Sequence, residues 1–150
     1  MKLLLIDGAE WTIWRKEDKD ALEEYLRTHN CSDKVDSTRH PIHGQRCYVT
    51  SDDIEEMKGT GLVPYTIRQG VNDAIYIPAK CAHQVRNLCS NIKIAADFIS
   101  PEHINDCVDL ADEFSSVRGP GDRLQMRSTI IESFRKTFHL FKKMSDDIHA

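Results

Sequence analysis

The chain has 150 residues, with 20 lysines and arginines against 24 aspartates and glutamates, for a formal net charge of −4. A chain of this length fits one domain that buries roughly 68–70% of its unfolded surface, enough for a real core and too little for a second full domain. The slight acidic excess argues against a protein whose whole surface binds nucleic acid, which would carry a basic stripe, and leaves room only for local basic patches.

In chain order, LLLI after Lys2 is far shorter than a signal peptide's apolar core or a membrane span, and reads as a buried strand. From Trp14 to His29, WRKEDKDALEEYLRTH places Trp14, Ala21, Leu22, Tyr25 and Leu26 near one helical face with charges on the other, which predicts a surface helix. NCSDKVDSTRHPIHGQ, Asn30 to Gln45, has no apolar period and many turn formers, so it is expected to be a loop leading into a strand RCYVT. Ser51 is then placed to cap a two-turn helix DDIEEMK, stopped by Gly59 and Gly61. The middle of the chain is strand-like: LVPYTIRQ, DAIYIPA, HQVRNL and IKIAADFI are short, rich in β-branched or aromatic residues, and separated by turn formers. Four such segments suggest a sheet or a piece of a jelly roll. Ser100 and Pro101 open a helix through Phe114, with serine at the N-cap and proline at the first helical position. Gly119, Pro120 and Gly121 break the chain before a last helix, about Asp122 to Lys143, with Leu124, Ile131, Phe134, Phe138 and Phe141 along an apolar stripe.

Within DAIYIPAKCAHQVRNL, Asp73 to Leu88, Pro78 ends the expected Ala74 to Ile77 strand because it has no amide to donate. The chain turns there, and His83 begins a return strand with its side chain at the mouth of the sheet, a common place for a ligand. A lone histidine lacks the two further protein ligands that iron or zinc requires, so periodicity alone leaves its role open between metal ligand and ordinary strand residue. His40 and His43, spaced His-Pro-Ile-His, have the right chemistry for a metal, but on a proline-containing loop they are expected to pin the loop by hydrogen bonds. Cys81 with His83 makes only a Cys-x-His pair, and Cys81 reads as a small buried residue. Cys31, Cys47, Cys81, Cys89 and Cys107 are odd in number with no Cys-x-x-Cys, which does not resemble a disulfide framework and best fits a reducing, intracellular setting. Asp73 is expected to cap a strand entry, and Asp97 to sit in an outward or mouth position. In the last helix, Arg123, Arg127, Arg135, Lys136, Lys142 and Lys143 fit a solvated face better than a nucleic-acid surface, and its phenylalanines fit packing against the sheet or another copy.

GAEWTIWRKED (Gly8 to Asp18), HPIHGQ (His40 to Gln45), GVNDAIYIPAKCAHQVRNL (Gly70 to Leu88) and IKIAADFISPEHINDC (Ile92 to Cys107) together resemble the JmjC family of lysine demethylases. The likeness is strongest to the subfamily acting on lysine nine of histone H3. It runs from about Gly8 to Phe114 with the pieces in the same order. The resemblance implies a mainly β fold with flanking helices, a partial double-stranded β-helix of the JmjC or cupin-like jelly-roll kind. It also implies Fe(II) and 2-oxoglutarate as cofactors, a histone H3 tail as partner and a nuclear location. Such enzymes use dioxygen to hydroxylate an N-methyl group, which then leaves as formaldehyde. In that family the turn after the IPA strand presents the last histidine of an iron-binding facial triad, and His83 is the residue matching it. Asn87 matches the asparagine that often follows, with a role in shaping the turn or supporting the ligand.

The departures from the family also matter. A facial triad needs two histidines and a carboxylate, and no His-x-Asp or His-x-Glu occurs in these 150 residues. Nor does the sequence offer a candidate for the lysine that follows that motif and holds 2-oxoglutarate. On the resemblance, residues 1–114 are expected to be the C-terminal part of a JmjC-like domain and 115–150 a helical extension. Three alternatives follow: part of a demethylase that contributes one iron ligand and is inactive alone, a non-catalytic chromatin-associated scaffold derived from the JmjC fold, or an unrelated cupin-like domain in which His83 is structural. Without an N-terminal half-domain, unpaired strand edges are expected to make the chain self-associate. No membrane segment and no direct nucleic-acid motif is evident.

Overall fold

A computed structural model describes residues 8–29, 40–118 and 125–148. LLLI, most of the loop after Asn30 and the Gly119 to Gly121 break lie outside the described residues. The chain divides into two compact units, Met1–Ala95 and Ala96–Ala150.

The first unit is organised by strand β1 (Ala9–Ile13), which pairs antiparallel on both sides with β2 (Tyr65–Gln69) and β3 (His83–Asn87) in the order β2-β1-β3. Trp11 stands opposite Ile67 on one side and Val85 on the other, and Ile13 opposite Tyr65 and His83. Because successive strand residues point to opposite faces, Ala9, Trp11 and Ile13 share one face with Tyr65, Ile67, Gln69, His83, Val85 and Asn87. Glu10, Thr12, Thr66, Arg68, Gln84 and Arg86 share the other.

Trp14 does not open the helix as its periodicity predicts. The ladder claims it instead: its amide donates to the Ala82 carbonyl at 2.9 Å, continuing the β1–β3 pairing by one residue. A short 3-10 turn at Lys16–Asp18 follows, and helix α1 (Lys19–Thr28) buries Leu22, Tyr25 and Leu26 but leaves Ala21 exposed. Helix α2 (Ser51–Gly59) starts one residue earlier than Ser51 capping requires. Thr50 is the cap, and with Asp53 it forms a reciprocal capping box that satisfies two amides at the helix start. The core gathers Trp14, Leu22, Tyr25, Leu26, Val49, Met57 and Leu62. Met57 is fully enclosed, a burial that contributes about 1.5–3 kcal/mol. Between the helices, the Tyr25 hydroxyl donates to Glu56 Oε2 at 3.0 Å. Burial and this carboxylate partner push the phenol up to about 12, since both disfavour a phenolate there.

Three predicted strands are absent. RCYVT, DAIYIPA and IKIAADFI carry strand composition but no ladder among the described residues, and a strand exists only where a neighbour takes its amides and carbonyls. Tyr76 is 77% exposed and Ile92 and Ile94 are each 96% exposed, so their apolar pattern meets no packing surface. One cysteine reading also changes: Cys47 is disulfide-bonded, whereas Cys81, Cys89 and Cys107 are thiols outside any disulfide.

The first helical segment of the second unit has Ser100 as N-cap and Pro101 in the first turn of a 3-10 segment, Pro101–His103, as predicted, and continues as α3 (Ile104–Arg118). Helix α4 (Met126–Ile148) runs five residues past the predicted end, and its Ile131, Phe134, Phe138 and Phe141 stripe is exposed. No helix among the described residues is long and apolar enough to cross a membrane.

Candidate functional site

His83 is the first residue of β3, opposite Ile13 on the face that carries Trp11. The turn before it is tight. The Cys81 amide donates to the Pro78 carbonyl at 3.3 Å, and Lys80 takes φ 63°, the left-handed region that lets a chain reverse in few residues. The same turn orients the imidazole. Nδ1 of His83 lies 3.1 Å from the Cys81 carbonyl oxygen, and because a carbonyl only accepts, Nδ1 carries the proton. In the neutral ring Nε2 therefore keeps its lone pair, the tautomer that a histidine needs to bind a metal through Nε2. The side chain is exposed, so the lone pair is reachable from solvent.

Asn87 lies four residues on along the same strand and so on the same face. Between the two sits Trp11. Its ring centroid is 6.2 Å from that of His83, and its indole N–H donates to Gln69 Oε1 at 2.9 Å. Gln69 in turn donates to the Asp73 carbonyl, and the Asp73 carboxylate accepts from the Gly70 amide at 2.8 Å, so Asp73 caps the turn that leaves β2. Lys93 reaches back over this face, donating to Asn87 Oδ1 with its ammonium 5.7 Å from the Trp11 ring centroid. Tyr65, Ile67 and Val85 add apolar surface that is 60%, 38% and 39% exposed.

The opposite face is closed differently. Glu10 is flanked by Arg86 at 2.8 Å and Arg68 at 3.5 Å, one from each outer strand. The Gln84 side-chain amide pairs with both backbone groups of Val49, accepting from its N–H at 2.9 Å and donating to its carbonyl at 2.7 Å. A cleft of about 220 Å³ opens there, lined by Glu10, Gln84, Arg86 and the start of α2. It is therefore on the far side of the sheet from His83.

The remaining sequence candidates stand elsewhere. His40 accepts the His43 amide on Nδ1 at 3.3 Å and presents Nε2 to Glu23 at 3.0 Å, with the two imidazoles 4.2 Å apart. The pair pins the loop, and Gly44 closes it, because a Cβ there would lie 2.6 Å from the His40 carbonyl. Asp97 is exposed. Among the described residues no three His, Cys, Asp or Glu side chains converge to hold a metal. Among the described residues His83 can supply one of the three protein ligands that an iron centre needs. Trp11, Gln69 and Lys93 were not singled out from sequence as site residues. The alternation of Ala9, Trp11 and Ile13 is a local signal for Trp11, whereas Gln69 and Lys93 join this face through strand pairing and chain reversal.

Comparison with known proteins gives a family match described as a JmjC domain, hydroxylase, over residues 3–98. Lysine-specific demethylase JMJ26 of Arabidopsis thaliana is 40% identical over 136 residues, covering 83% of this chain and 15% of that protein. Lysine-specific demethylase JMJ29 of the same plant is 46% identical over 115 residues, 71% of this chain and 13% of the relative. Lysine-specific demethylase 3A of Homo sapiens is 30% identical over 142 residues, 90% of this chain and 11% of the relative. The chain thus spans only between about a tenth and a fifth of the length of such relatives.

Proposed function

Because this chain belongs to the JmjC-domain family, we propose that it is the portion of an Fe(II)- and 2-oxoglutarate-dependent histone lysine demethylase that supplies the last iron ligand, His83. Its fold class, a partial jelly roll with flanking helices, is the one the sequence predicts. The substrate we infer is lysine nine on the histone H3 tail, acted on in chromatin within the nucleus, in line with relatives named as lysine-specific demethylases. Residues 1–114 are assigned to the JmjC-like part and 115–150 to a helical extension.

The observation that carries this proposal is the His83 turn. It lies inside the matched region, on a strand start, with the tautomer fixed so that Nε2 is left for a metal. Asn87 shares that face and accepts a hydrogen bond from Lys93. When bound in this family, Fe(II) and 2-oxoglutarate supply the oxidising chemistry that removes a methyl group. This chain's own contribution is one oriented donor and an aromatic, partly apolar wall beside it. The two further ligands are not among the described residues, so the chain alone is expected to be inactive.

The test is complementation. The chain is co-expressed with the JmjC segment of JMJ29 that precedes the matched region, and formaldehyde release from a dimethylated histone H3 lysine-nine peptide is followed. The expected result is release with both parts present, none with either alone, and none with His83→Ala. A soluble two-part complex that releases no formaldehyde would favour a non-catalytic chromatin scaffold, and activity indifferent to His83→Ala would overturn the ligand assignment.

A further inference from the structure

We propose that α4 is a dimerisation helix, whose exposed apolar seam packs antiparallel against the same seam of a second copy of this chain. This goes beyond the function proposed above and does not depend on it. Ile131, Phe134, Phe138 and Phe141 are spaced by three, four and three residues, the rhythm with which one helix presents a continuous seam to another. They are 64%, 72%, 68% and 67% exposed, and Met144 beside them is 59% exposed. An aromatic side chain has about 150–250 Å² to bury, so these five side chains offer roughly 700 Å² per copy. Two copies together reach about 1,400 Å², inside the range of stable specific interfaces.

The seam and the helix ends select the same direction. A two-fold axis level with Lys136 lies two residues from both Phe134 and Phe138, and five from both Ile131 and Phe141. It therefore sets Phe134 against the partner's Phe138 and Ile131 against the partner's Phe141, each contact made twice. The same axis lies ten residues from both Met126, where α4 starts, and Asp146. The last turn of α4 carries Asp146 and Asp147 with no basic residue, and its first turn carries no acidic residue, against the preference of its own dipole. In the antiparallel pair these exposed aspartates lie beside the positive N-terminal end of the partner helix, where a negative charge is stabilised. A parallel pair would set the four aspartates against one another at one end.

The experiment uses the full chain in sedimentation equilibrium, with the buried Trp14 indole resonance as the reporter of folding. A reversible monomer–dimer equilibrium in the micromolar range is expected. Phe138→Glu, which sets an unpaired charge in the middle of the seam, is expected to weaken it at least about a hundredfold with Trp14 unchanged. Asp146→Lys together with Asp147→Lys suits the dipole of the isolated helix, so α4 stays folded, yet it is expected to weaken the dimer about tenfold. In a sample mixing labelled and unlabelled copies, nuclear Overhauser contacts are expected from the Ile131 methyls of one copy to the Phe141 ring of the other. A monomer at every concentration, including one whose seam is covered within its own chain, overturns the proposal. So does a dimer or larger assembly that Phe138→Glu leaves intact, or one indifferent to the aspartate reversal. Contacts between the two copies of Ile131 in place of Ile131 to Phe141 mark a parallel pair and also overturn it.

Discussion

Replacing Gln84 by alanine removes the side chain that holds the Val49 segment against the sheet. Its amide makes two part-buried hydrogen bonds, to the N–H and the carbonyl of Val49, which is only 5% exposed. A neutral hydrogen bond contributes a net 0.5–1.5 kcal/mol, and stranding a buried backbone group costs about 1–3 kcal/mol, so a loss of roughly 2 kcal/mol is expected. For a unit of under a hundred residues that corresponds to a fall in Tm of about 10 °C. Thermal melts by circular dichroism measure the loss, and amide exchange at Val49 locates it. Gln84→Glu is expected to be worse than Gln84→Ala, because it keeps an acceptor for the Val49 amide but sets a carboxylate against the Val49 carbonyl. A Tm unchanged within about 2 °C in both variants, with Val49 exchange unaffected, would refute the clamp and the magnitudes together.

Tyr25 is raised in the folded state to about 12, so its contribution is fully present below the unfolded value near 10 and is lost as pH rises from there through 12. Stability followed across that window is expected to fall more steeply in the wild type than in Tyr25→Phe; identical slopes would contradict the burial argument. Thr50→Ala breaks the capping box and is expected to cost about 0.5–2 kcal/mol in urea denaturation, with Asp53→Ala adding little further because the two form one reciprocal unit. Gly44→Ala drives a Cβ against the His40 carbonyl and is expected to cost about 1–3 kcal/mol, with the His40 and His43 ring resonances shifting as the turn opens.

What could be read from the sequence followed from local chemistry. The α1 stripe of Leu22, Tyr25 and Leu26, the Ser100-Pro101 helix start, and the β2 and β3 segments all announce themselves in a few neighbouring residues, and each is present. Elements that depend on partners were harder to place. Trp14 has a helix-like spacing to Leu22 and Tyr25, yet Ala82, far along the chain, supplies the carbonyl that keeps it extended. DAIYIPA and IKIAADFI have strand composition, but composition does not create the neighbouring strand that a ladder needs. At the candidate site, His83 and Asn87 stand out in the sequence through the family resemblance. Trp11 and Lys93 belong there only because β1 runs between β2 and β3 and the chain after Asn87 doubles back, a register that no local pattern encodes.

The central claim is that His83 donates Nε2 to the iron of a JmjC-type centre. Anaerobic titration of the two-part complex with Co(II), read by its visible absorption, tests it most directly. One Co(II) per complex is predicted, with a weak spectrum of an octahedral ion bound by nitrogen and oxygen donors, and with that spectrum lost in His83→Ala while the complex stays assembled. An unchanged stoichiometry and spectrum in His83→Ala would contradict the claim.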